Sequence, residues 1–299
     1  MSSIESIGWI GCGVMGAPMA GHLLQAGYTL RVHTRTKSKA TDLMAAGALW
    51  CDEPASMVAE CDVVFTMLGF PDEVRSVYLS EHGLFNAPGN RLRYAVDMTT
   101  SRPSLACELA AIGKQRSVAV LDAPVSGGDV GARNGTLAIM LGGERDDFQS
   151  VRPLLEKLGK TIALMGPPGS GQHTKLCNQI LVAGNMIGAC ESLLYARRAG
   201  LNASEVIDVI GKGAAASWSI NNLGPKMVQN DFAPGFYVEH FVKDMGIALT
   251  ECERMDLSLP GLALVRQLYI ALKAQGHARS GTQALIAALD VLSGGQGDY

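Results

Sequence analysis

The sequence has no run of like charge, no closely spaced cysteine pair and no apolar stretch long enough to span a bilayer, and each absence removes a class of protein. Lys and Arg number 25 against 28 Asp and Glu, a formal charge of −3. Such a balance leaves no electrostatic footprint for gripping a phosphate backbone, so nucleic acid is set aside as a partner. The seven cysteines (Cys12, Cys51, Cys61, Cys107, Cys177, Cys190 and Cys252) are odd in number and never form C-x-x-C. That argues against both a disulfide framework and a zinc site, and no metal is expected. They read as small buried hydrophobes in a reducing compartment. Glu5 precedes the first apolar run with no basic segment before it, and no stretch nearby reaches the ~20 residues of a membrane span. The expectation is a cytoplasmic protein without membrane contact.

What is present is apolar material and glycine. Hydrophobic residues make up 47% of 299 and charged residues only 18%, enough for one large or two ordinary cores. From residue 6 to about 165, short β-branched runs (IGWIG, TLRVHT, DVVFTML, RYAVDM, VAVLD, TLAIMLGG, TIALM) alternate with helix-length segments. That alternation predicts an α/β domain with a doubly wound parallel sheet covered on both faces. A helix is expected over 14–26, with Met15, Met19, Leu23 and Ala26 on one face and Gly27 ending it. After Gly166-Pro-Pro-Gly-Ser-Gly171 the β pattern stops. The domain boundary is placed there, giving 1–166 and 167–299. A proline-free helix over about 173–199 links the two, and helical patterns at 203–211, 241–256, 260–275 and 280–293 make the second domain all-α.

The 35 glycines are about 12% of the chain, against an average near 7%, and they cluster in motifs. Gly11-Cys12-Gly13-Val14-Met15-Gly16 lies between a predicted strand and a predicted helix in G-x-G-x-x-G spacing. Each glycine then has a steric reason to lack a side chain: a tight turn, close approach of backbone to a pyrophosphate, and helix packing. Val14 and Met15 begin the helix whose N–H groups face the phosphates. The next strand decides which dinucleotide. An NAD site normally ends it with a carboxylate for the ribose 2′-hydroxyl, whereas here His33-Thr-Arg-Thr-Lys-Ser-Lys39 carries cations and no acid. Arg35, Thr34, Thr36 and Lys39 suit a 2′-phosphate, so NADP is favoured over NAD. A solvated basic loop would read the same way.

His173-Thr-Lys175-Leu-Cys-Asn178 opens the linking helix. Lys175 and Asn178, at i and i+3, share a face that Asn185 extends, a polar stripe expected to point into a cleft. A lysine buried beside a nicotinamide can exchange a proton with a substrate oxygen; a surface lysine snorkelling at a helix start fits the spacing equally. Ser126-Gly127-Gly128 offers a hydroxyl and two unobstructed N–H groups suited to a carboxylate, or a plain turn. Lys243 and Asp244 begin another helix with adjacent opposite charges, which by themselves usually mark only a solvated face.

In order and wording, IGWIGCGVMGAPMAGHLLQAGY, DMTTSRP, DAPVSGGDVGARNGTLAIMLGG, GSGQHTKLCNQI and FVKDMGIAL resemble the β-hydroxyacid dehydrogenase family over nearly the whole chain. That family includes 3-hydroxyisobutyrate dehydrogenase, tartronate semialdehyde reductase and glyoxylate/succinic semialdehyde reductases. The resemblance implies a Rossmann domain followed by an all-α domain in a dimer or tetramer. It implies an NADP-dependent exchange between a small β-hydroxy acid, or another short hydroxy acid, and its semialdehyde or keto acid. Lys175 is then the general acid/base, Asn178 holds the substrate or the lysine, and Ser126, Gly127 and Gly128 bind the carboxylate. Met67, Leu68 and Thr100 border the cofactor, and Lys243 and Asp244 close over the site. The distal end of the substrate is expected to meet Ser217, Trp218, Asn221, Phe232 or Phe236. Two departures stand out. Gln179 follows Asn178 where some members carry a second Asn, and Trp9 and Cys12 replace commoner apolar residues, a change expected to affect packing alone. Two further readings use the same motifs: an imine reductase, whose relatives usually lack a lysine at this position, and a non-catalytic NADPH-binding scaffold, which has no need of the Lys, Asn and Ser-Gly-Gly set.

Overall fold

The computed structural model describes residues 4 to 295. They divide into two compact units, one ending at Lys175 and one beginning at Leu176. In the first, strands β1 (Ser6–Ile10), β2 (Thr29–His33), β4 (Val63–Thr66), β5 (Tyr94–Asp97) and β6 (Ala119–Asp122) coincide with the β-branched runs, and helices α1 (Gly16–Gln25), α2 (Thr41–Ala45), α3 (Pro71–Leu79) and α4 (Pro103–Gln115) fall between them. With the two-residue β3 (Leu49–Trp50) the strand order is 3-2-1-4-5-6, every pairing parallel. Such an order reverses direction between β1 and β4, and the turn after β1 lies at that switch point.

Beyond β6 the pattern changes. β7 (Val125–Ser126) and β6 both pair antiparallel with β8 (Leu137–Gly142), and β9 (Gly159–Gly166) runs parallel to β8. Helices α5 (Gly128–Asn134) and α6 (Arg145–Leu155) complete the unit. β3 and β7 are two residues long, too short for any alternation to reveal.

Both faces of the sheet are covered, as strands buried on two sides require. Ile7, Trp9, Val63, Phe65, Val96 and Leu121 join one apolar cluster with Met19 and Leu23 of α1. Their neighbours Ile10, Val64, Ala95 and Val120 join another with Val74, Tyr78, Leu105 and Leu109 of α3 and α4. This is the period-two alternation of a strand, with each face packed at roughly 1.5 to 3 kcal/mol per large buried side chain.

Helix α7 (Ser170–Arg198) has 29 residues, about 43 Å at 1.5 Å per residue, and begins three residues earlier than its periodicity suggested. In the second unit α8 (Ala203–Ile210), α9 (Gly224–Val228), α10 (Val238–Arg254), α11 (Pro260–Leu272) and α12 (Leu285–Leu292) follow. The five-residue α9 had no periodic signal of its own. Met186, Cys190 and Leu193 of α7 share a core with Phe241, Met245, Tyr269, Leu285 and Ile286, and the Phe241 and Tyr269 rings meet edge-on with centroids 5.1 Å apart. No helix among the described residues is long and apolar enough to cross a membrane. Five of the seven free cysteines are buried, but Cys107 and Cys177 are exposed, which departs from the expectation that all are core residues.

Candidate active site

The glycine turn after β1 is held by contacts that leave little freedom. Gly11 has φ +102, and a Cβ there would strike the Met67 carbonyl and crowd Leu68, so the loops after β1 and β4 touch. At Gly16 a Cβ would strike the Gly11 carbonyl and the Trp9 indole. Trp9 Nε1 donates to that same carbonyl at 3.1 Å, so Trp9 does more than pack: it ties the end of β1 to the turn. Cys12 is buried, which pushes its thiol up to about 11. Gly13 differs from its neighbours, because a Cβ on it would meet nothing within 4 Å. Val14 is exposed, no side chain caps α1 at Met15, and the first turn holds no acid. An open backbone at an uncapped, acid-free helix start fits a dinucleotide pyrophosphate.

In the loop after β2, His33 Nδ1 bonds the Cys51 carbonyl at 3.0 Å, Thr34 is half-buried, and Arg35, Thr36 and Lys39 are exposed. Arg35 Nη1 lies 2.6 Å from Glu73 Oε1, with 84% of the arginine side chain exposed. The other Glu73 oxygen accepts from the Gly69 N–H at 2.9 Å. One carboxylate on α3 therefore bridges the loops after β2 and β4. Sequence reasoning missed Glu73, since nothing at the end of β2 announces an acid supplied from 38 residues on.

The ends of β5 and β6 place Asp97 and Asp122 side by side. Asp97 Oδ1 accepts from Thr66 Oγ1 at 2.8 Å and from the Thr99 N–H at 3.1 Å. Burial pushes its carboxyl up to about 6 against those bonds, with the Asp122 charge adding to the rise. Thr99 Oγ1 accepts the Leu68 N–H at 2.9 Å, which connects the DMTTSRP segment, including half-buried Thr100, to the Met67-Leu68 loop. Burial also raises the Asp122 carboxyl, opposed by backbone N–H donors from Gly169 and Gln172 at the start of α7. Ser126 is half-buried on β7, followed by Gly127 (φ +132) and Gly128 (φ +62).

Lys175 sits just beyond the first turn of α7 with 7% exposure, whereas a snorkelling lysine needs an open surface. The buried polar positions of α7 are Gln172, Lys175 and Gln179, spaced i, i+3 and i+7 on one face. Asn178 and Asn185 are half-buried beside that face. The stripe Lys175-Asn178-Asn185 expected from spacing is thus displaced toward glutamine positions that spacing had not singled out.

Within the second unit, Asn178 Nδ2 donates to Gln179 Oε1 at 2.8 Å and Gln179 Nε2 donates to Asp244 Oδ2 at 2.6 Å. Lys243 Nζ lies 2.9 Å from Asp244 Oδ1 as an ion pair without hydrogen-bond angles. Gln179 therefore orients the Asn178 amide and fixes one oxygen of a buried carboxylate. Of the distal candidates, Phe236 is half-buried with its ring 5.6 Å from Phe241, while Trp218 is 64% exposed. The described residues hold no cluster of three or more His, Cys, Asp or Glu able to bind a metal ion.

Known proteins match this arrangement along the chain. Residues 6–166 match the family described as the NAD binding domain of 6-phosphogluconate dehydrogenase. Residues 169–289 match that described as NAD-binding of NADP-dependent 3-hydroxyisobutyrate dehydrogenase. An uncharacterised oxidoreductase of Bacillus subtilis is 50% identical over 94% of this chain and 97% of its own. A probable 3-hydroxyisobutyrate dehydrogenase-like protein of Arabidopsis thaliana is 49% identical over 97% and 87%. The structure of Mycobacterium tuberculosis 3-hydroxyisobutyrate dehydrogenase with L-serine superposes with a TM-score of 0.85 at 32% identity, covering 96% of this chain and 99% of that one.

Proposed function

The chain belongs to the β-hydroxyacid dehydrogenase family, and on that premise we propose that it is an NADP-preferring oxidoreductase. It interconverts a small β-hydroxy acid, or another short hydroxy acid, with its semialdehyde or keto acid. The observation that carries this reading is Lys175, a buried lysine one turn into a helix that starts at the ends of β6 and β8, in the same unit as the glycine turn.

The nicotinamide dinucleotide, when bound, supplies or takes up the hydride. Gly11, Gly13, Val14, Met15 and Gly16 hold its pyrophosphate, with Met67, Leu68 and Thr100 along its border and Lys243 as a further contact. Arg35, aided by Thr34, Thr36 and Lys39, receives a 2′-phosphate. The substrate carboxylate takes the Ser126 hydroxyl and the N–H groups of Gly127 and Gly128. Lys175, as the ammonium, gives its proton to the oxygen of the carbonyl being reduced, and as the amine it takes that proton back in oxidation. Asn178 and Asp244, joined through Gln179, are assigned to the substrate together with Phe236 and Trp218.

The proposal extends to a cytoplasmic homodimer or homotetramer built mainly by residues after 170. Exposed apolar side chains on α7, Leu181 at 65% and Tyr195 at 75%, support it, and sedimentation at micromolar concentration checks it. The test of the activity is a spectrophotometric screen of NADPH oxidation against short semialdehydes and 2-keto acids. Turnover on at least one is expected. Activity on cyclic imines alone would replace this reading with imine reduction, and inactivity on every class would leave the scaffold reading.

A further inference from the structure

The start of α7 is held to the sheet by a set of buried hydrogen bonds that the assigned roles do not use. Asp122 Oδ1 accepts the Gly169 N–H at 2.7 Å and Oδ2 the Gln172 N–H at 2.8 Å. The Gln172 side chain, fully buried, accepts the Ser101 N–H through Oε1 and donates through Nε2 to the Thr99 carbonyl, each at 2.8 Å. A Cβ on Gly171 would strike the Met140 carbonyl and press on the Asp122 backbone and carboxylate. No side chain thus intervenes between this helical turn and the ends of β6 and β8. Lys175 follows Gly171 by four residues and Gln172 by three, so its Cα stands one turn above these contacts on the same face.

We propose that Asp122 and Gln172 are positioning residues, a clamp that sets the height and rotation of the first turn of α7 and thereby the place of the Lys175 amine. The inference rests on the assignment of Lys175 as acid/base. The physical argument is one of necessity. A helix start leaves orphan N–H groups, and burying them demands acceptors; Asp122 satisfies two N–H groups with one side chain that cannot shift without exposing both. Gln172 adds a donor and an acceptor toward two backbone groups that Asn is too short to reach and Glu cannot match while ionised. Through Thr99 the clamp joins Asp97 and the Leu68 N–H, so the lysine turn and the loop after β4 share one rigid frame. Misplacement of a reacting group by about 1 Å costs on the order of 10²-fold in rate.

The test compares Gln172→Leu, Gln172→Glu and Lys175→Ala on the best substrate found, with turnover normalised to folded protein. Gln172→Leu is expected to lower kcat at least tenfold, to leave NADPH affinity within threefold, and to displace the pH profile of kcat. Gln172→Glu keeps the acceptor and regains the donor only when the introduced carboxyl is protonated, so its kcat relative to wild type should climb as pH falls. That rescue also serves if the leucine variant does not fold. Wild-type kcat in both variants, or a lowered kcat with an unmoved pH profile and no rescue in acid, overturns the clamp. Lys175→Ala separates the two claims. If it is nearly inactive while the Gln172 variants are normal, the clamp alone is wrong; if it retains more than a tenth of wild-type turnover, the acid/base assignment falls and the clamp with it.

Discussion

Two cations in the first unit, Lys175 and Arg35, occupy opposite environments. Lys175 is buried on a helical turn whose neighbouring backbone N–H groups are taken up by Asp122 and whose side-chain neighbour Gln172 is fixed at both ends. Arg35 stands in an exposed loop, joined to Glu73 by an ion pair open to water. A charge in low dielectric is worth several times one in water, and its partners cannot be exchanged for solvent. The buried turn is therefore where a single substitution should cost most, whereas the exposed loop should respond in smaller steps that salt erodes.

The sharpest way to break this contrast is Lys175→Ala, expected to lower kcat by about 10² to 10⁴-fold, the usual contribution of a general acid. NADPH affinity should stay within a few-fold. Lys175→Arg should rescue little, since a guanidinium keeps its proton and cannot accept one in the oxidative direction. Steady-state kinetics paired with dinucleotide titration decides both.

Next in size is the loop. NADPH is expected to bind at least tenfold more tightly than NADH, and Arg35→Ala should erase most of the difference. One charge-assisted contact of about 1.5 to 3 kcal/mol corresponds to roughly 10- to 150-fold. Thr34→Asp should turn the preference toward NADH. Equal affinities in the wild type would remove the basis for the NADP reading.

The buried side of the comparison also carries a pH signature. The Asp97 carboxyl, pushed by burial up to about 6 from the 3.8 of a free, exposed aspartate, makes the native state bind more protons than the unfolded state between those limits. Stability therefore falls as pH rises through that window and levels off above about 6. The contribution is on the order of 3 kcal/mol. Asp97→Asn keeps an acceptor for Thr66 and Thr99 and should abolish this slope, which urea unfolding at several pH values reads as the difference from wild type. A difference that does not change with pH would refute the assignment.

The smallest effect belongs to Glu73. Gln in its place can still accept from Gly69 but no longer holds Arg35 as an ion, so Glu73→Gln should tighten NADPH binding by no more than about fivefold at low salt, matching the 0.2 to 1 kcal/mol of an exposed pair. Isothermal titration at two ionic strengths checks both the sign and the salt dependence; weaker NADPH binding would mean that Glu73 helps to aim Arg35 rather than restraining it.

Much of this molecule follows from local rules. The alternation of β-branched runs and helical segments foretold the strands and helices of the sheet, and the G-x-G-x-x-G spacing foretold a turn in which Gly11 takes a positive φ and Gly16 admits no Cβ. These are matters of sterics and of periods 2 and 3.6, acting over a few residues. Tertiary packing decided what no period encodes. Asp122 meets Gln172 across 50 residues, Gln172 meets Thr99 across 73, and Gln179 meets Asp244 across 65. Spacing put Asn178 and Asn185 with Lys175, but the buried face of α7 passes through Gln172 and Gln179 instead, because the side on which a helix docks sets which of its polar residues must find partners. Trp9 looked like packing and turned out also to donate to the Gly11 carbonyl. A buried donor or acceptor has to be satisfied by whatever the fold brings within about 3 Å, and that partner is chosen by the assembled sheet and helices, not by the residues beside it in the chain.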